Sequence, residues 1–212
     1  MELMDTGNYN IDMYLKELSS KSPIPGGGGA SALAAALSAA LSSMACNLTI
    51  GKKSYAAVEK NIRGILDEMQ SHIENFIKLA DKDAEAFYPL SQAYSVKPKT
   101  TEEKLAHEKN MEELLYNAAT VPFELMKEAC WMMGSVEYLA KRGSKLVISD
   151  VGVAVALLRS SVCGAMMNVA INTKYMKDRG RAEGLLKEGN EMLKATMDKS
   201  DIIYKEVLEV LL

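Results

Sequence analysis

The stretch Pro23-Ile24-Pro25-Gly26-Gly27-Gly28-Gly29-Ala30, an uncharged Ala/Ser/Leu run, and then Asn47-Leu48-Thr49-Ile50-Gly51-Lys52-Lys53-Ser54-Tyr55 decide how this chain folds. No charged residue lies between Lys21 and Lys52. Alanine and leucine dominate from Ala30 to Ile50 and proline is absent, so this span is expected to be a helix. The four glycines are expected to form the turn leading into it. Such a turn presents free N–H groups and the positive end of the helix dipole, which suits an anion. Lys52 and Lys53 wait at the far end, and the combination reads as half of a site for a small anionic molecule. The run is long enough to span a bilayer. However, Ser31, Ser38, Ser42, Ser43, Asn47 and Thr49 interrupt it, and alanine outnumbers leucine, so a buried central helix fits better than a membrane span.

Outward from that helix, Ile11 to Leu18 are expected to form a short amphipathic helix, with Met13, Tyr14 and Leu18 as its apolar stripe, ending before Ser19-Ser20-Lys21-Ser22-Pro23. After Gly51 a long helix is expected from near Ser54, with Val58, Ile62, Ile65, Met69, Ile73, Phe76, Ala80, Phe87 and Leu90 at helical spacing. Val96 to Thr100 read as a turn, and Thr100 with Glu103 as a capping box for a helix reaching about Arg142, bent at Pro122. Ser149-Asp150 are expected to open a helix from Val151 to Lys174 that is apolar nearly all round and therefore central. A last helix runs from about Arg181, with Leu185, Leu186, Met192, Met197, Ile202, Ile203, Val207 and Leu211 inward. No alternating strand pattern is present. The expectation is all-α: a bundle of about six helices forming a single domain over residues 1–212. Two nearly charge-free helices need cover on every side, more than six helices supply, so a homodimer is expected.

Composition excludes several function classes. The net charge of −3 is spread along the chain with no basic patch, which argues against a nucleic-acid partner. Met1-Glu2-Leu3-Met4-Asp5 lacks the basic start and apolar core of a signal peptide, so a cytoplasmic setting is expected. Cys46, Cys130 and Cys163 are odd in number and far apart, reading as reduced core residues. With only His72 and His107 as histidines, a histidine metal site or a Ser-His-Asp triad is not expected.

Asp83 is the most informative single position. It falls on the stripe Met69, Ile73, Phe76, Ala80, Asp83, Phe87, Leu90, Tyr94, which packs inward. A carboxylate there is either paired or serves a site. Lys52 and Lys53 are either solvated, dipole-compensating residues or proton-transfer partners. Asp150 is either a cap or a site carboxylate. Asn168 and Asn172 share a helix face, where their amides either bridge helices or read the edge of a polar heterocycle.

Taken together, these residues resemble the cyclodeaminase/cyclohydrolase family of tetrahydrofolate enzymes. The likeness is carried by Pro25 to Ala30, Met44 to Tyr55, Asp83-Ala84-Glu85-Ala86-Phe87, Lys97 to Lys104, Val121-Pro122, Ile148 to Ala154 and Asn168 to Asn172, in one order from about Leu15 to Tyr204. The resemblance implies an all-α fold, a homodimer or larger assembly, a folate substrate, and neither metal nor cofactor beyond it. By the same resemblance, Asp83, Lys52, Lys53 and Asp150 are candidate catalytic residues. Gly26, Gly27, Gly28, Gly29, Tyr55, Asn168 and Asn172 are candidates for substrate binding. One departure stands out: relatives often carry Gly-Asn and a second Asn where this chain has Gly143-Ser144 and Leu146.

Four glycines followed by alanine resemble the free-standing hydrolases of the family, which convert 5,10-methenyltetrahydrofolate and water to 10-formyltetrahydrofolate. The alternative is a formiminotetrahydrofolate cyclodeaminase, which releases ammonia. A folate-binding subunit without catalysis is the reading from another class.

Overall fold

The computed structural model describes residues 5–8 and 10–212. The leader reading made on Met1 to Met4 lies outside them. Six α-helices are found among the described residues: α1 (Ile11–Leu18), α2 (Gly27–Asn47), α3 (Glu59–Ala93), α4 (Thr101–Arg142), α5 (Ile148–Lys174) and α6 (Arg179–Leu211). Among the described residues there is no strand.

Small side chains decide the arrangement, because they let α2 lie close between α3 and α5. Ala32, Ala35, Ala39 and Ala45 of α2 are buried, and Ser38 Oγ donates to Ala154 O across the α5 interface at 2.7 Å. α2 and α5 run antiparallel: Gly27 adjoins Asn168, Ser31 adjoins Gly164, and Ser38 meets Ala154. α6 packs on the far side of α5, and α4 lies behind, against α3, α5 and α6. The core between these layers holds Phe76, Met69, Met126, Met132, Leu158 and Ile203. Arg181 stacks its guanidinium over Tyr116, 3.8 Å from the ring centre, helping α6 to seat on α4.

Several expected boundaries move, each for a physical reason. α2 begins at Gly27, not Ala30, so three of the four glycines are its first turn and Gly26 is the cap. α3 begins at Glu59, because Lys53–Tyr55 form a separate tight turn after Gly51, whose φ of 80° favours glycine. α5 begins at Ile148, so Ser149 and Asp150 lie inside its first turn and do not cap it. In α6, Ile202 and Leu211 face solvent rather than the core, as does Tyr94 at the end of α3. The Thr100–Glu103 capping box forms as the sequence indicates. α4 continues through Pro122, which has no N–H to give Ala118 O. Asn172 Nδ2 replaces that donor at 2.9 Å.

α2 and α5 are each long and apolar enough to cross a bilayer by length and composition, and their most apolar windows are 61 % and 50 % buried inside the bundle. The remainder is exposed: Leu37 and Met44 on α2, and Val153, Met167 and Ile171 on α5. Of the cysteines, Cys46 is a core residue, while Cys130 and Cys163 are only half-buried; all are free thiols.

Candidate functional site

The glycine run is a close-packing device before it is anything else. A Cβ on Gly28 would collide with the carboxylate of Asp83, so only glycine lets α3 deliver this group against the first turn of α2. Asp83 Oδ2 accepts the Gly29 N–H at 3.1 Å. Asp83 thus presents an anion of the protein's own to the Gly29 N–H at the α2 N-terminus. Burial raises the Asp83 carboxyl from 3.8 to about 6, against the opposing pull of the Gly29 N–H. Near neutral pH such a group exchanges a proton readily, as a general base must.

Asn168 belongs to this end. Its amide lies 3.3 Å from where a Gly27 side chain would begin, and its Nδ2 donates to Gly164 O at 2.8 Å. Asn172 does not belong: it is buried and engaged with Ala118 O, the helix-bridging alternative. Tyr14 of α1 completes the glycine end, its hydroxyl 3.2 Å from where a Gly29 side chain would begin. Nothing in the sequence separated Tyr14 from its apolar neighbours; a tyrosine on an inward stripe was the only signal. Beside it, Leu15 of α1 and Ala30, Leu33, Ala34 and Leu37 of α2 line an apolar groove of about 390 Å³.

The other end of α2 gathers different chemistry. Thr49 Oγ1 accepts the Ser144 N–H at 2.9 Å, and Lys52 Nζ donates to Ser144 Oγ at 3.0 Å. Ser144 thus holds the lysine against the turn that follows α4. Tyr55 accepts the Lys145 N–H at 3.1 Å. Asp150 is half-buried in the first turn of α5, while Lys53 is exposed.

The structure therefore divides the predicted residues into two groups. Gly26 to Gly29, Asp83 and Asn168 are at one end; Lys52, Lys53, Tyr55 and Asp150 are at the other. At 1.5 Å per residue, the 21 residues of α2 separate them by about 30 Å within one protomer.

A family model described as formiminotransferase-cyclodeaminase matches residues 10–191. A methenyltetrahydrofolate cyclohydrolase from Methylorubrum extorquens is 37 % identical over 201 residues, covering 95 % of this chain and 97 % of that protein. A formimidoyltransferase-cyclodeaminase from Mus musculus is 31 % identical over 83 % of this chain, which spans only 32 % of that longer protein. Among solved structures, a formiminotetrahydrofolate cyclodeaminase from Thermotoga maritima superposes with a TM-score of 0.80 at 27 % identity, covering 97 % of this chain and 96 % of that one.

Proposed function

The chain belongs to the formiminotransferase-cyclodeaminase family, and from that premise we propose that it is a methenyltetrahydrofolate cyclohydrolase acting as a homodimer. The substrate is 5,10-methenyltetrahydrofolate and the product 10-formyltetrahydrofolate. Support for the hydrolase over the deaminase comes from the end-to-end similarity to the Methylorubrum enzyme. The observation that carries the chemistry is Asp83, a mostly buried carboxylate raised to about 6 and pressed against the first turn of α2.

The methenyl carbon sits in an amidinium cation and is already electrophilic, so this reading assigns it no metal and no cofactor. A carboxylate at the glycine end suits a cation and takes a proton from the attacking water. The glycines shape the seat of that carboxylate, Asn168 meets the heterocycle beside Gly27, and the apolar groove between α1 and α2 suits the benzoyl ring. Lys52, ordered by Ser144, serves as the proton-transfer partner with Tyr55 and Asp150 near it, and Lys53 offers an exposed cation to the anionic tail.

These two sets are about 30 Å apart in one protomer, and a two-fold axis across a face formed by the exposed residues of α2 and α5 joins them. An isologous pairing sets the glycine end of one α2 beside the lysine end of the other. The exposed Leu37, Met44, Met167 and Ile171 support that face as the contact.

The deaminase reading is kept alive by the Thermotoga relative, since the same acid and base serve attack of N10 and departure of ammonia. Following the 5,10-methenyltetrahydrofolate absorbance separates the two. Loss of the band above the spontaneous rate is the expected result. A flat trace, with the band instead appearing from 5-formiminotetrahydrofolate, overturns the hydrolase in favour of the deaminase.

A further inference from the structure

Tyr14 is idle in the scheme above, yet it is placed as a working group. It is 6 % exposed, and its hydroxyl is buried with no hydrogen-bond partner among the described residues. An unpaired buried hydroxyl is costly, and phenylalanine would occupy the same space without that cost. The hydroxyl abuts Gly29, while Asp83 Oδ1 abuts the adjoining Gly28, so two successive glycines in the first turn of α2 bring these side chains to one place, close enough for the Asp83 charge to act on the phenol. Gly29 N–H occupies Oδ2 of Asp83 and leaves Oδ1 without a donor among the described residues. Burial and the Asp83 and Asp81 charges push the Tyr14 phenol up to about 12, so it stays a proton-bearing donor at any working pH.

We propose that Tyr14 is the positioning residue for the reacting water, its O–H donating to a water molecule that in turn donates to Oδ1 of Asp83. This rests on the cyclohydrolase reading and adds a residue to it. As the water oxygen bonds to the methenyl carbon, the carbon–nitrogen π pair moves onto nitrogen and one water proton passes to Asp83. The carbon–N5 bond then breaks as N5 takes a proton, and the remaining hydroxyl proton leaves as the formyl C=O forms. The balance is one cation and one water giving a neutral formyl product and one released proton. Tyr14 keeps its own proton throughout and fixes which lone pair of the water faces the carbon.

Tyr14→Phe tests this, because it removes one oxygen from a packed ring. The expected result is an unchanged or raised melting temperature, a fall in kcat of at least about tenfold with little change in KM, and an upward move of the Asp83 titration. That titration is followed by carboxyl carbon NMR and by the acid inflection of the kcat profile. Wild-type kcat with a wild-type inflection overturns the proposal. A wild-type enzyme inert toward 5,10-methenyltetrahydrofolate overturns the cyclohydrolase reading instead. The bridge is then judged by NMR alone: an Asp83 titration identical in both proteins overturns it, and a shifted one upholds the Tyr14–Asp83 coupling.

Discussion

The two ends of α2 are built on opposite plans. At the N-terminus, absent side chains make the site: Gly28 and Gly29 leave room for Asp83 and Tyr14, and burial tunes the carboxylate. At the C-terminus, present side chains make it, with Thr49 fixing Ser144 and Ser144 fixing Lys52. One end is closed and acidic; the other is open and basic. Neither end alone gathers both the carboxylate and the lysine, and the proposed pairing of two protomers brings one of each together.

Disrupting that pairing is the sharpest way to break the comparison. Met167→Asp places a charge on the proposed contact, where the wild-type side chain is 63 % exposed. The expected outcome is a monomer by sedimentation, retained helicity by circular dichroism, and activity lowered at least about a hundredfold, since desolvating a charge opposes association. A monomeric wild-type protein of full activity would remove the shared site.

Asp83→Asn should lower turnover at least about tenfold while making the fold more stable at pH 7. The sign follows from the raised pKa. The folded carboxyl holds its proton more tightly than the unfolded one, so its contribution favours folding below 3.8 and is lost as pH climbs through about 6. At about 1.4 kcal/mol per unit of pKa, ionising Asp83 in the fold costs about 3 kcal/mol at neutral pH, which sets the upper limit of the gain. Melting curves of both proteins between pH 4 and 8, flat for the variant across that window, check it.

Gly28→Ala and Gly26→Ala form a pair on the same run. The first drives a methyl into Asp83, and both stability and activity should fall; the second meets nothing within 4 Å and should cost only the weaker capping by alanine, leaving activity unchanged. Equal effects would return the glycines to a generic turn. At the opposite end, Lys52→Met should reduce kcat several-fold more than Lys53→Met, because only Lys52 is held by a hydrogen bond. The reverse order would place the working cation on Lys53.

Much of this was legible in the residues. Helical spacing placed Asp83 on the inward face, and Thr100–Glu103 announced the start of α4. The glycines misled, because glycine signals a turn locally; what keeps them helical is a carboxylate on a helix more than fifty residues away, at a hydrogen bond whose sequence separation is 54. Asn172 was undecided for the same kind of reason: its partner is the carbonyl freed by Pro122, a fact of two helices and not of one. Tyr14 was hidden in an apolar stripe, where a hydroxyl makes no pattern of its own.

The most direct test of the central claim mixes two impaired proteins. Asp83→Asn and Lys52→Met protomers are unfolded together, refolded as mixed dimers, and assayed for loss of 5,10-methenyltetrahydrofolate absorbance. If each site takes Asp83 from one subunit and Lys52 of the partner subunit, a mixed dimer holds one intact site, and random pairing restores about a quarter of wild-type activity. Activity no greater than the average of the two parents would contradict a shared site and leave the two ends of α2 as separate features of one protomer.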